Sequence, residues 1–167
     1  EVQNLTIGHT ELGNCSGGVI GVRGGSQNVV KDCDLYGCGT YGLDLIETTD
    51  FGMLNTNIHD CTYGIMQMRS CMAVRFSDCD FFNNREYGLI EATGCEGVSF
   101  MGCRIFANKG NAPLFSMDNT FYMAGCQIFH PTENLGTIDM ADQSGAKNWF
   151  SANPLDTNIK PRGIGPQ

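Results

Sequence analysis

The sequence lacks any run of about 18 apolar residues, the length that a membrane-spanning helix requires, so no membrane span is predicted. Basic residues are scarce: ten Lys and Arg stand against eighteen Asp and Glu, which gives a formal net charge of −8. Because nucleic-acid binding needs clustered Lys and Arg, we exclude a nucleic-acid partner. No basic segment followed by an apolar one opens the chain, so no signal peptide is predicted. The chain is expected to be a mature product or a fragment of a longer protein with flanking domains.

The 3.6-residue periodicity of an amphipathic helix is also missing. Instead, a column of small residues recurs about every 23 positions: Thr10, Cys33, Thr56, Cys79, Cys103 and Cys126. An apolar residue stands three positions before each member and another stands two positions after it. An internal repeat of this length predicts a solenoid.

Three short strands fit each repeat, and glycine introduces the third, as at 41–47, 63–69 and 87–92. Coiling the chain once per repeat predicts an all-β, right-handed, single-stranded parallel β-helix. Its six predicted coils of about 23 residues are 4–26, 27–49, 50–71, 72–95, 96–119 and 120–142. The repeat domain is therefore predicted at 1–142. Because an open solenoid end needs a cap, 143–167, with Trp149 and Phe150, is predicted to form a C-terminal cap followed by a tail or linker.

The nine cysteines fall into three columns of the repeat. The first contains Cys33, Cys79, Cys103 and Cys126, the second Cys15, Cys38 and Cys61, and the third Cys71 and Cys95. Thr and Asn replace Cys in these columns, which favours unpaired thiols that pack as small hydrophobic groups. Disulfides between neighbouring coils and metal binding are the alternatives, although the sequence has no CxxC pair. Unpaired thiols favour an intracellular or anoxic setting.

The order of the motifs resembles the repeats of the pectate-lyase-like superfamily. That consensus has an apolar residue, an inward Asn, another apolar residue and then Gly followed by an apolar residue. Here Cys or Thr replaces the first inward Asn, and Cys15, Cys38 and Cys61 replace the second. The resemblance covers about 140 of the 167 residues. It implies an extracytoplasmic or cell-surface location, but the same coil serves lyases, glycosidases, epimerases, adhesins and inert scaffolds.

The resemblance also implies that catalytic groups would lie on the glycine-led strand. The candidates are Asp44, Glu47, Arg69 and Glu91, and Glu47 is expected to alternate with Arg23 and Arg69 in a charge ladder. Residues 41–47 resemble the catalytic segment of alginate C5-epimerases, except that Leu and Ile stand where that segment has Pro and His. Salt bridges between surface ladders are the alternative interpretation of these charges.

Two polar columns flank the Thr/Cys column and are expected to face outward. They supply the candidate binding residues, which are Asp32, Asp34, Asn55, Asn57, Asp78, Asp80 and Arg104. No cofactor is predicted, but Asp34 and Asp80 are candidates for Ca²⁺, which prefers six to eight oxygen ligands. The alternative is that Asp and Asn satisfy the backbone of the corners.

A further column is assigned as Ile20, Asp44, Met66, Ile90 and Phe115. It would support self-association if it faced outward, but a position in the core is favoured. The favoured function is a non-catalytic module, acting as a rigid scaffold or as a surface that binds a polysaccharide or a protein. One alternative is a lyase or glycoside hydrolase that acts on acidic polysaccharide through the glycine-led strand. The other alternative is an oligomeric assembly scaffold.

Overall fold

The computed structural model describes residues 2–84, 89–106, 115–117, 121–129 and 134–143. Five successive coils each contain three strands. These are β1 (Thr6–Gly8), β2 (Glu11–Cys15) and β3 (Ile20–Arg23); β4 (Val29–Lys31), β5 (Asp34–Cys38) and β6 (Tyr41–Ile46); β7 (Gly52–Leu54), β8 (Asn57–His59) and β9 (Gly64–Arg69); β10 (Arg75–Ser77), β11 (Asp80–Phe82) and β12 (Leu89–Thr93); β13 (Val98–Met101), β14 (Arg104–Phe106) and β15 (Phe115–Met117). Two longer strands follow, β16 (Phe121–Phe129) and β17 (Asn134–Gln143).

Equivalent strands of successive coils pair in parallel and form three faces. The first face contains β1, β4, β7, β10 and β13, and the second contains β2, β5, β8, β11 and β14. Strand β16 extends both, and together with β17, which pairs with β16, they form one 12-stranded sheet. The third face contains β3, β6, β9, β12 and β15. This arrangement confirms the predicted all-β parallel solenoid.

The predicted coil count was slightly too high. Five described coils have all three strands, and β16 adds a sixth strand only to the first and second faces. Strand β17 pairs antiparallel with β16 instead of continuing the parallel rows, although the repeats were predicted to reach residue 142. The predicted cap residues Trp149 and Phe150 lie outside the described residues.

The core is built from ladders of like side chains. Inward residues of the first face include Met53, Phe76 and Phe100, which pair in register and are fully buried. The rings of Phe76 and Phe100 stack with centroids 4.9 Å apart. Burying each such side chain contributes about 1.5–3 kcal/mol. The regular core therefore fixes which side chains project outward in every coil.

Each coil turns at residues with a positive φ angle. The corner between the first and second faces is formed by His9, Asp32, Asn55, Asp78, Gly102 and Gly125, with φ between 43° and 64°. Asn, Asp and Gly tolerate this left-handed conformation better than other residues do. The backbone of the corner thus accounts for one of the two polar columns.

The Thr/Cys column follows this corner, and its side chains make one recurring hydrogen bond. Each hydroxyl or thiol donates to the carbonyl oxygen two residues earlier, at 2.8–3.6 Å, in Thr10, Cys33, Thr56, Cys79, Cys103 and Cys126. Thr48, Cys71 and Cys95 repeat the pattern at another corner. None of the nine cysteines, all of which lie in the described residues, forms a disulfide, and all are buried except Cys15, which is partly exposed. Thr and Cys exchange here because both are small side chains with a donor at the γ position.

The register of the third face corrects two sequence assignments. Leu43, rather than Asp44, pairs with Ile20 and Met66 in the apolar column, and all three side chains are buried. Phe115 pairs with Ile90 as expected. The predicted ladder of alternating charges was wrong, because Ile46, not Glu47, lies between Arg23 and Arg69.

Candidate functional site

The third face presents a row of polar side chains at successive coils. Gly21, Asp44, Gln67 and Glu91 pair in register, and we call them the third-face row. The sequence neighbours of Asp44, Gln67 and Glu91 on both sides, such as Leu43 and Leu45, point inward and are buried. Because side chains alternate along a strand, Asp44, Gln67 and Glu91 project outward together.

Two hydrogen bonds converge on Glu91. The phenolic Oη of Tyr41 donates to Glu91 Oε2 at 2.8 Å, and Gln67 Nε2 donates to the same oxygen at 3.0 Å. Tyr41 belongs to β6 and Glu91 to β12, so this contact spans two coils. In β9, between them, Tyr41 pairs with Gly64, which has no side chain to obstruct the ring. Tyr41 was not among the site residues predicted from the sequence, and no signal between adjacent repeats would have revealed the contact.

The phenol of Tyr41 acts as a hydrogen-bond donor. Burial raises its pKa well above the ordinary value of about 10, and the hydrogen bond to Glu91 and the charges of Glu91 and Asp44 raise it further. The phenol therefore keeps its proton at neutral pH. Tyr41 can donate a hydrogen bond and present an aromatic ring, but it is not available as a phenolate base.

The other predicted catalytic residues are only partly brought together. Arg69 Nη2 lies 3.8 Å from Asp44 Oδ1, and this carboxylate oxygen is buried and has no hydrogen bond. Glu47 does not belong to the third-face row. It occupies the corner after β6, with φ of 52°, where its backbone N–H donates to the carbonyl of Arg69.

The predicted binding residues lie along the corner between the first and second faces and on the adjoining edge of the second face. Asp32, Asp34, Asn55 and Asn57 line a shallow depression of about 400 Å³ together with His9, Thr10, Glu11 and Cys33. Asn55 Nδ2 donates to Asp32 Oδ1 at 2.8 Å across neighbouring coils. Asp78 occupies the same corner in the next coil.

The two calcium candidates already have cationic or imidazole partners. Arg104 Nε donates to Asp80 Oδ1 at 2.6 Å, and His59 Nε2 lies 3.1 Å from Asp34 Oδ1. Within the described ranges, no group of three or more His, Cys, Asp or Glu side chains is arranged to hold a metal ion. These carboxylates act in side-chain pairs between coils.

His59 is the centre of a cluster that the sequence did not reveal. Its Nδ1 lies 2.6 Å from Asp60 Oδ2, while Nε2 faces Asp34. Its ring stacks between Tyr36 and Phe82, with centroids 5.6 and 4.6 Å away and interplanar angles of 12° and 10°. Tyr36, His59 and Phe82 pair in register on β5, β8 and β11, so the three rings form one outward column on the second face. Both faces of the His59 ring are therefore covered, and the stack stabilises the solenoid by joining three successive coils.

The comparisons with known proteins agree with this geometry. A family model described as a right handed beta helix region matches residues 1–105. The chain belongs to the right-handed β-helix family. This membership supplies the handedness of the solenoid and agrees with the resemblance to the pectate-lyase-like superfamily. No curated protein and no solved structure shows significant similarity to the chain.

Membership of the right-handed β-helix family establishes the architecture. It does not establish an activity, because one fold carries many different functional sites. The described part of this β-helix contains no helix long and apolar enough to cross a membrane. Its two outward polar surfaces differ in character. Side chains on the second face form pairs and stacks with one another, whereas the third-face row combines an amide with two carboxylates and receives a hydrogen bond from Tyr41.

Proposed function

We propose that this β-helix is a non-catalytic module whose third face serves as a binding surface for a carbohydrate or a protein partner. The observation that carries the proposal is the convergence of Tyr41 and Gln67 on Glu91. These hydrogen bonds hold three side chains from three successive coils in fixed positions. A preorganised polar surface of this kind favours binding, because little side-chain entropy remains to be lost.

The same contacts argue against catalysis. Tyr41 and Gln67 both donate to Glu91 Oε2, so this carboxylate oxygen is already engaged in two hydrogen bonds, and Tyr41 keeps its proton and cannot act as a base. Asp44 and Glu91 are two strands apart, a backbone separation of roughly 10 Å. A retaining glycosidase needs its carboxyl groups about 5–5.5 Å apart, so these two side chains would have to lean towards each other to serve as such a pair.

A turnover assay tests the non-catalytic assignment. The protein is incubated with neutral and acidic polysaccharides, and reducing ends and unsaturated products are measured over a day. We expect no product above a heat-denatured control. Product that disappears in Glu91→Gln or Asp44→Asn, with both variants folded by circular dichroism, would show that the third face is an active site and overturn the proposal.

A further inference from the structure

Three cysteines follow one another along the solenoid at the corner between the second and third faces. Cys15 ends β2 and pairs in register with Cys38 at the end of β5, and Cys61 follows β8 in the next coil. We propose that Cys15 and Cys38 are a site of oxidative modification, where reaction with a low-molecular-weight disulfide closes an intramolecular disulfide bond. The site is separate from the third-face row, so the inference goes beyond the proposed binding function.

The spacing of the coils suits a bond between these two residues. In-register residues of neighbouring parallel strands are about 4.8 Å apart, within the range of about 4.4–6.8 Å between the Cα atoms that a disulfide joins. The N–H of Gly39 donates to the carbonyl of Cys15 at 3.0 Å. A Cβ at Gly39 would collide with the carbonyl oxygen of Ser16, and a Cβ at Gly13 would collide with that of Tyr36. Glycines on both sides of the pair therefore allow the two coils to approach closely.

Exposure determines which thiol reacts first. Cys15 is partly exposed, whereas the other cysteines are buried. Its Sγ donates to the carbonyl oxygens of Gly17 and Gly18 at 3.6 and 3.5 Å, so no second thiol holds its proton. Cys38 is only 3% exposed, which shields it from a reagent in solution. A small disulfide therefore reacts first at Cys15.

The surroundings of Cys38 prepare it as the second nucleophile. A hydrogen bond from the thiol of Cys61 lowers the pKa of the Cys38 thiol to about 7, and backbone N–H groups of Thr40 and Thr62 act in the same direction, although burial opposes them. The pKa of Cys61 is raised by this hydrogen bond and by burial, so Cys61 keeps its proton. Much of Cys38 is therefore thiolate at neutral pH, and the thiolate is the nucleophile in thiol–disulfide exchange.

The modification consists of two exchange reactions, written here for glutathione disulfide. The Cys15 thiolate attacks one sulfur of the reagent, forms a mixed disulfide with one glutathione and releases the other as a thiolate. The Cys38 thiolate then attacks Cys15 Sγ, the mixed disulfide breaks, and the second glutathione leaves as a thiolate. The two cysteines lose two electrons, the reagent gains them, and the two thiol protons pass through water to the leaving thiolates.

The other neighbouring thiols lack an exposed member. Cys71 lies beside Cys95, and a hydrogen bond from Cys95 lowers the pKa of Cys71 to about 6, but both residues are buried. Cys79, Cys103 and Cys126 follow one another at the corner between the first and second faces and are fully buried. A reagent in solution cannot reach these thiols while the solenoid is folded. The combination of an exposed thiol and a buried thiolate is therefore confined to the pair at the end of β2 and β5.

Oxidation of the folded protein tests the inference. The protein is incubated with excess glutathione disulfide at neutral pH, alkylated under denaturing conditions without reduction, and mapped by proteolysis and mass spectrometry. We expect one disulfide, between Cys15 and Cys38, and seven of the nine thiols still free, because a disulfide uses two. Dithiothreitol should restore all nine.

Three variants separate the two exchange reactions. Cys15→Ser should lose the reaction, with neither a glutathione adduct nor a disulfide. Cys38→Ser should stop after the first exchange and retain one glutathione on Cys15. Cys33→Thr is the matched control, because Thr10 and Thr56 occupy the same column in the coils on either side, and it should react as the wild type does.

Four results would contradict the inference. A glutathione that remains on Cys15 of the wild type would show that Cys38 does not reach it. A disulfide between any other two cysteines would place the modification elsewhere, and nine free thiols after a day would show that the pair is inert. Disulfide formation in a folded Cys15→Ser variant would remove the role of the exposed thiol. None of these results bears on the proposed function of the third face, which the turnover assay tests separately.

Discussion

Thr56→Val tests whether the Thr/Cys column is maintained by hydrogen bonding or only by size. Thr56 is fully buried, and valine has nearly the same shape. Its Oγ1 donates to the carbonyl of Leu54 at 2.8 Å and accepts from the backbone N–H of Cys33 at 3.3 Å. In the variant the Leu54 carbonyl still accepts from the N–H of Asp32 at 3.0 Å. The N–H of Cys33 is left without a partner, so the free energy of unfolding should fall by about 1–3 kcal/mol.

Thr56→Cys is the matched variant. The thiol can donate to the carbonyl two residues earlier, as Cys79 does at 3.3 Å. It can also accept weakly from the neighbouring coil, as Cys95 Sγ does from the N–H of Cys71 at 3.4 Å. We therefore expect a clearly smaller loss of stability than for valine, measured by urea unfolding with circular dichroism. Equal losses in the two variants would refute the hydrogen-bonding explanation and leave side-chain volume as the reason for the column.

Three further predictions concern glycine, tyrosine and the thiols. Gly42→Ala should lower the free energy of unfolding by about 1–3 kcal/mol, because its Cβ would lie 2.2 Å from Ile58 Cγ2; Gly21→Ala, where a Cβ meets nothing within 4 Å, should change the denaturation midpoint little. The raised pKa of Tyr41 means that above about pH 10 the unfolded chain loses this proton before the folded one does, so stability is lost as the pH rises. Tyr41→Phe should therefore lose less stability than wild type in alkaline unfolding experiments. Nine thiols should react with Ellman's reagent after denaturation without reductant, and recovery of three or fewer would disprove free packing cysteines.

The fold could be predicted because a solenoid converts sequence period directly into structure. One coil per repeat places Met53, Phe76 and Phe100 in register, and their pairing follows from spacing alone. The register of the third face was harder to predict. Its strands are apolar on the inward side and short, so a shift of one residue exchanged Asp44 for Leu43 without disturbing the hydrophobic pattern. The bulge between Leu89 and Ile90 in the register of β12 with β9 adds to this ambiguity.

The candidate site could not be read from the repeats because its defining contact skips a coil. Comparison of adjacent repeats reveals neighbours about 23 positions apart, such as Asn55 with Asp32, whereas Tyr41 and Glu91 are 50 positions apart. The intervening position is Gly64, which has no side chain to obstruct the ring, and a glycine at this position is easily taken for part of the strand signal. His59 illustrates the same limit, since its two carboxylates come from the preceding coil and from its own corner. In a solenoid, the regular ladders of like residues therefore indicate the fold. A candidate site is better indicated by positions where a side chain is absent or contacts a residue more than one coil away.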